Sequence, residues 1–214
     1  MTWWWHAHVC VGMMAPMEHD SPSHEPGAHS KPRKRLRHYD TRGHARFLTF
    51  SCYQDRPLLA PYEHRDWMIH AIDRARQQHL FELWAFVIMP THVHLLIRPN
   101  HERPAVSGIL SSIKQSVAKR AVRKAKEDHP LRLMMAASDG NANLRFWQRG
   151  GGYDRNVWST KHIWHAIDYI HSNPVKARYC ASPMAWRWSS AAAANNPGAG
   201  PLNLDLTTIP PMQG

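Results

Sequence analysis

The stretch Phe86-Val87-Ile88-Met89-Pro90-Thr91-His92-Val93-His94-Leu95-Leu96-Ile97 decides how this chain is read. An apolar run enters a tight turn at Pro90 and leaves it as a second apolar run that opens with two histidines one residue apart. Side chains alternate faces along a β-strand. His92 and His94 therefore share one face, while Val93, Leu95 and Ile97 point the other way into a core. Two strand-length runs with so short a connection predict an antiparallel hairpin, Phe81–Met89 with His92–Arg98, broken by Pro99-Asn100. Two imidazoles side by side on a rigid strand make half of a metal site. What faces them decides the chemistry.

Upstream of the hairpin, Arg46–Gln54 alternates Leu48, Phe50 and Cys52 with Phe47, Thr49, Ser51 and Tyr53, which reads as another strand. Trp67, Met68, Ala71, Ile72 and Ala75 place a helix over Pro61–Gln78. Downstream, Val106, Ile109, Leu110, Ile113 and Val117 recur at helical spacing and predict a long helix from Pro104 to Lys126. Its polar side carries Lys114, Lys119, Arg120, Arg123, Lys124 and Lys126, either as a DNA-backbone face or as cations complementing the helix C-terminus. Gly150-Gly151-Gly152 reads as a flexible break, and a further helix starts at Ser159 or Thr160 and stops at Asn173, because Pro174 disfavours a helical residue before it.

That last helix faces the histidines chemically. Ile163, Ile167 and Ile170 form its apolar stripe, and at about 100° per residue His162, His165, Tyr169 and Asn173 fall on one polar flank. Tyr169 and Asn173 are four residues apart and hence neighbours. An unaided phenol titrates near pH 10 and is a poor nucleophile at neutral pH. A divalent ion held by two histidines and one more ligand polarises a phosphodiester for attack, and a phosphotyrosine conserves the bond for rejoining. Imidazole suits manganese or zinc, and magnesium is tolerated where oxygen ligands complete the shell. The Asn173 amide oxygen is a candidate third ligand. The competing reading makes Asn173 a helix-ending residue and Tyr169 an amphipathic group at the core margin, with Tyr153 and Tyr179 as rival phenols.

Composition sets the partner class. The chain has 214 residues, enough for one domain, with a formal net charge of +11 and a pI of about 10.0, a balance suited to nucleic acid. Three cysteines, Cys10, Cys52 and Cys180, show no CxxC spacing, which argues against a zinc finger or a disulfide framework and favours a reducing, cytoplasmic setting. No apolar run approaches the roughly 18 residues of a membrane span, and the Met1–Ala15 segment lacks the basic region of a signal peptide. Residues 1–40 read as a poorly ordered basic extension containing Lys31-Pro32-Arg33-Lys34-Arg35-Leu36-Arg37, residues 41–190 as the catalytic domain, and 191–214 as a tail with a short strand at Leu202–Leu206. His6-Ala7-His8 repeats the histidine spacing without the strand-and-turn context that would give it meaning. With 17 histidines such pairs are expected by chance.

Several segments together carry a family resemblance. Val87 to Leu96 resembles the HUH motif (His, bulky hydrophobic, His) of single-tyrosine transposases, and Asp168 to Ala177 resembles the tyrosine segment of the REP-associated tyrosine transposases. Phe146-Trp147-Gln148-Arg149, Tyr153-Asp154-Arg155-Asn156 and Trp186-Arg187-Trp188-Ser189-Ser190 also resemble that group, in the same order, from about Arg37 to Leu206. The resemblance implies an α+β fold with a central antiparallel sheet flanked by helices. It implies metal-dependent cleavage and rejoining of single-stranded or hairpin DNA through a 5′-phosphotyrosine, with Mg2+ or Mn2+ as cofactor. Carried over, His92, His94 and Asn173 are metal ligands and Tyr169 is the nucleophile, while Lys114, Lys119, Arg120, Arg123, Trp147 and Arg149 hold DNA, in a monomer or homodimer. Arg178-Tyr179 stands where the family commonly has Gly-Leu, and the triple glycine replaces bulkier residues. The alternatives are a domesticated protein that binds hairpin DNA without turnover, and a metal-dependent hydrolase that uses water instead of tyrosine.

Overall fold

A computed structural model describes residues 43–100, 106–138, 143–150 and 152–212. The basic run at Lys31–Arg37, the His6-Ala7-His8 triplet and the rest of the N-terminal extension lie outside the described residues.

The chain order is β1 (Ala45–Ser51), α1 (Tyr62–His79), β2 (Phe81–Ile88), β3 (His92–Pro99), α2 (Val106–Lys124), α3 (His129–Met135), β4 (Tyr153–Val157), α4 (Thr160–Lys176) and α5 (Ala191–Asn195). The strands form one antiparallel sheet in the order β2-β3-β1-β4, an α+β architecture with helices on both faces. The expected hairpin is β2 and β3, closed by Met89 N–H donating to the His92 carbonyl at 2.8 Å.

The strand period sorts the sheet into two layers. Leu48, Phe50, Val93, Leu95 and Ile97 pack with α1 and α2, where Met68, Ile72, Ile109, Ile113 and Val117 complete a buried core. Ala45, Ala85, Val87 and Leu96 pack on the other face against Ile163, Ile167 and Ile170 of α4. A register shift in β2 between Leu83 and Ala85 puts Trp84 and Ala85 both on the α4 side, so that Leu83 and Phe86, three apart, both reach the α1 and α2 core.

Strand β2 lies at the sheet edge, yet its outer backbone is covered. Ile88 N–H donates to the Trp188 carbonyl (2.8 Å), Phe86 pairs with Ser190 through backbone and hydroxyl, and Leu83 pairs with Asp205. Covering an edge in this way removes a template for strand addition. The expected strand at Leu202–Leu206 does not form. Asp205 instead fills the β2 irregularity, held by Arg76 through two hydrogen bonds of 2.7 and 2.6 Å, and the chain turns into a 3-10 segment at Leu206–Thr208.

Strand β4 went unforeseen, because its inward side chains are polar. Asp154 and Asn156 point to the face of β1 that carries Arg46, and they bond its guanidinium: Nε to Asp154 Oδ1 at 2.8 Å, NH1 to Asn156 Oδ1 at 2.7 Å, and NH2 to Asp154 Oδ2. Arg46 and Asp154 are almost fully buried. Gly152, just before β4, is required where it stands: at φ +75° its Cβ would lie 2.1 Å from the Thr49 carbonyl oxygen. At Gly152 the expected flexible break is instead a close-packed approach to β1, while Gly151 lies outside the described residues. Breaking a buried ion pair by removing its carboxylate is strongly destabilising, so Asp154→Ala is expected to cost about 3–5 kcal/mol. Urea unfolding checks this, and an unchanged midpoint would refute it.

Candidate nucleic-acid cleavage site

Register builds the site. Thr49 of β1 stands opposite His94, His94 opposite Val87 of β2, and Tyr153 of β4 opposite Thr49. His92 and His94 both look toward α4, with ring centroids 4.8 Å apart. From α4, Tyr169 reaches the same place: its ring lies 5.3 Å from that of His94, edge to face. Phe47 wedges beneath both, stacked on His94 at 5.6 Å and edge-on to Tyr169 at 5.9 Å. The side chains of His92, His94, Tyr169 and Asn173 thus converge from β3 and α4.

Asn173 arrives because α4 does not stop at Pro174. The helix runs to Lys176 and its C-cap is Ala177, whose N–H donates to the Asn173 carbonyl at 3.0 Å. Pro174 forfeits one helical hydrogen bond, and its buried ring packs inside the last turn. Asn173 is consequently one turn inside the helix, not its cap, and its carboxamide is spent on the histidines: Nδ2 donates to His94 Nε2 at 3.2 Å. At the other nitrogen, His94 Nδ1 bonds Thr49 Oγ1 at 2.7 Å. An Nε2 that accepts from Asn173 leaves the proton on Nδ1, which donates to Thr49; the hydrogen-bond network assigns this tautomer. His92 Nδ1 is bonded in the same manner by Thr91 Oγ1 at 2.9 Å.

Burial keeps both imidazoles neutral. Desolvation holds His94 down to about 3, with the neighbouring His92 adding to the effect. His92 is also lowered by desolvation, opposed by a hydrogen-bonding contact with Asn173 and by the Asp55 carboxylate. Neutral imidazoles with fixed Nδ1 partners have the ligand form that a cation needs. Among the described residues no group of three His, Cys, Asp or Glu side chains is placed to hold a metal. A site here would therefore combine two nitrogens with the Asn173 carboxamide, and that donor set fits Mn2+, or Mg2+ with waters completing the shell.

The remaining expected residues divide. Tyr169 is 39 % exposed. Lys176 Nζ sits over its ring at 5.3 Å. Tyr153 touches the rim through Phe47, and Tyr179 stacks away on Trp186. His165 is exposed, and His162 belongs to the N-terminus of α4, bonded to the Ser159 hydroxyl. Trp147, expected as a stacking surface, is a core residue: it is 8 % exposed, edge-on to Phe50 and Phe146, with its indole N–H donating to the Lys114 carbonyl. Lys114 is half-buried and bonds the Gly150 carbonyl at 2.9 Å, tethering the segment beside β1. Burial lowers its pKa. Lys119, Arg120 and Arg123 ride on α2, in the layer across the sheet from the histidines, and Arg149 is exposed. Thr49 and Phe47 were missed; an alternating strand that pairs with the histidine strand was the signal available for both.

A four-stranded antiparallel sheet that presents a His-x-His pair to a helical tyrosine defines the class of fold. Among solved structures, this chain is similar to a REP-associated tyrosine transposase bound to a REP hairpin: the TM-score is 0.61 at 20% identity, over 84% of this chain and 98% of that one. A protein from Deinococcus radiodurans R1 provisionally named a transposase aligns more loosely (TM-score 0.39, 16% identity, 65% of this chain and 96% of that one). At these identities the likeness is one of fold. No family model matches the chain, and no curated protein matches it. Among the described residues no helix is long and apolar enough to cross a membrane.

His64 and His171 share the depressed pKa of the site histidines, in both cases chiefly through desolvation. Each of these four groups binds a proton more readily unfolded than folded, so stability falls as pH drops below about 6.5, the ordinary imidazole value. Thermal melts in a chelating buffer are expected to show a lower Tm at pH 5 than at pH 7.5. A flat profile would contradict the burial of these rings in their neutral form.

Proposed function

We propose that this protein is a single-tyrosine HUH transposase that cuts and rejoins single-stranded DNA, hairpin repeat sequences in particular, and that it acts in the cytoplasm. The observation that carries the proposal is the convergence of Tyr169 on the His92, His94 and Asn173 cluster within one chain. Charge supports it, since a net +11 favours a polyanionic substrate. So does the fold shared with a transposase that was solved on a REP hairpin.

Under this reading His92, His94 and the Asn173 carboxamide would hold Mg2+ or Mn2+, whose chemistry there would be to polarise the scissile phosphodiester. The chain's own residues do the rest. Thr49 and Thr91 orient the imidazoles through their Nδ1 atoms. Phe47 fixes the distance between the histidines and the phenol. Tyr169 Oη attacks the phosphorus, the phenolic proton leaves to solvent, and the 3′ oxygen departs; the 5′-phosphate stays on the tyrosine until a 3′-hydroxyl reverses the step. Lys176 places a cation beside the phenol, where the phosphate charge must sit. The contact of the Tyr169 ring with the His94 ring supports a reading in which the tyrosine serves the histidines of its own chain. Exposed Arg149 contributes to holding the backbone, and Lys119, Arg120 and Arg123 contact DNA that passes beyond the sheet edge to the α2 layer.

Incubating the protein with a hairpin-flanked single strand and Mn2+ is expected to give a covalent adduct on a denaturing gel. Tyr169→Phe abolishes the adduct while binding survives, and His92→Ala with His94→Ala, or EDTA, does the same. An adduct that persists in Tyr169→Phe sinks the nucleophile assignment. Cleavage without any adduct points to a water-using hydrolase, and binding without cleavage points to a domesticated binder. A second expectation concerns orientation: Thr49→Val removes the His94 Nδ1 partner and should weaken Mn2+ binding by about 10–100-fold in calorimetric titration. Unaltered affinity would show that Thr49 does not position the ligand.

A further inference from the structure

The exposed aromatic groups of the described residues include two tyrosines, Tyr62 at 71% and Tyr179 at 52%, that lie outside the candidate site. Each is backed by a tryptophan: Tyr62 by Trp188, with centroids 6.0 Å apart and planes tilted 33°, and Tyr179 by Trp186, at 5.4 Å and 39°. The two pairs are joined by one buried arginine. The Arg65 guanidinium carbon lies 5.2 Å from the Tyr62 ring, 5.2 Å from Trp186 and 5.4 Å from Trp188. Its Nε has no hydrogen-bond partner among the described residues, so that part of the group is committed to ring faces. Trp186 is itself anchored, its indole N–H donating to the Ile88 carbonyl at 3.1 Å. The result is a continuous ladder, Tyr179–Trp186–Arg65–Trp188–Tyr62, whose two ends are open to water.

The ladder has a definite relation to the site. Tyr153, Thr49, His94, Val87 and Ser189 form one row of paired residues across the sheet. Each step of such a row is about 4.8 Å, so the Ser189 backbone lies about 10 Å from that of His94. Trp188 is the neighbour of Ser189 in the chain, and Tyr179 follows directly on the helix that carries Tyr169. The ladder thus lies along the covered edge of β2, the strand that pairs with the histidine strand. Its surroundings are cationic: Lys176, Arg178 and Arg187 are exposed, and Arg187 lies over the Trp188 ring at 5.2 Å. Arg187 also lines an open cleft of about 400 Å³ with Met184, Ala192 and Pro201.

We propose that this ladder is a stacking track for the unpaired nucleotides that flank the cleaved bond, with Tyr179 and Tyr62 each receiving a base. The proposal rests on the reading of the protein as an enzyme of single-stranded DNA. Bases stack on any flat aromatic face, which suits a sequence-tolerant hold. A ring already pinned by a tryptophan and an arginine loses little freedom when a base lands on it. The alternative use of these residues, packing alone, accounts for Trp188 and Arg65 but not for the two tyrosines left largely in water.

The test is binding without chemistry. Fluorescence anisotropy with a labelled (dT)20 single strand is measured in EDTA, for the wild-type chain and for the double variant Tyr62→Ala, Tyr179→Ala. The double variant is expected to bind about tenfold or more weakly, while Tyr62→Phe with Tyr179→Phe, which keeps the rings, binds like wild type. A 20-bp duplex is expected to be bound equally by all three, since its bases are already stacked. Retained (dT)20 affinity in the alanine variant overturns the track. So does loss in the phenylalanine variant, an equal loss for duplex, or a wild-type chain that does not bind (dT)20. Thermal melts confirm that both variants are folded. The assay needs neither metal nor cleavage, so its failure is distinct from failure of the tyrosine chemistry, which is read by the covalent adduct alone.

Discussion

Everything in this molecule hangs on the register of β3 between its two neighbours. Val93, Leu95 and Ile97 are wholly buried against α1 and α2, and the histidines take the opposite face because the period of a strand is two. A slip of one residue would exchange the sets. Burying an aliphatic side chain is worth about 1.5–3 kcal/mol, so three of them hold the register with about 5–9 kcal/mol. That is comparable with the whole stability of a domain, about 5–15 kcal/mol. The histidines need no interaction of their own to be aimed correctly; the hydrophobic core on the far side aims them.

The same constraint explains why the second half of the site must come from a helix on the α4 layer. Once His92 and His94 face α4, only residues on its inner flank reach them, and the stripe Ile163, Ile167 and Ile170 sets the rotation of that helix. Tyr169 stands beside Ile170 in sequence and about 100° around the helix from it, at the margin of the stripe, half in contact and half in water. Asn173 follows one turn later. Continuing the helix past Pro174 costs a hydrogen bond, but it holds Asn173 at a helical position where its carboxamide bonds His94.

The sequence made the hairpin and the long helices legible, because each of these is written in apolar periodicity; the choice of Tyr169 as partner of the histidines comes from the motif resemblance, since periodicity alone leaves Tyr153 and Tyr179 as rivals. It concealed elements whose internal contacts are polar or local. Strand β4 reads Tyr-Asp-Arg-Asn-Val, and its inward residues are an aspartate and an asparagine that answer Arg46 on a strand more than a hundred residues earlier. No single-sequence pattern announces a partner at that distance. Trp147 illustrates the converse error: an aromatic next to arginine in a basic chain suggests a nucleic-acid contact, but its neighbour Phe146 and the distant Phe50 enclose it in the core. Helix α4 runs past Asn173 because the preference against a helical residue before proline describes the average helix, whereas this one has tertiary contacts along its inner face.

The edge of β2 joins stability to the site. A hairpin at the border of a sheet would leave one row of backbone groups bare, and the chain covers it with Trp188, Ser190 and Asp205. Covering the edge with Trp186–Ser190 brings two tryptophans beside the turn that leads into His92, and Arg65 from α1 must then be accommodated among their rings. His171 of the tyrosine helix bonds the Ser190 hydroxyl at 2.8 Å, so the same segment also fixes α4 to the sheet. One stretch of five residues therefore closes the sheet, steadies the helix that carries Tyr169, and supplies the two tryptophans of the aromatic ladder. A site assembled from a strand and a helix in different layers needs such a clasp. Without it the Tyr169 ring, which meets His94 and Phe47 edge to face, would move with the tilt of α4. With it, the distance from phenol to imidazole is a property of the sheet.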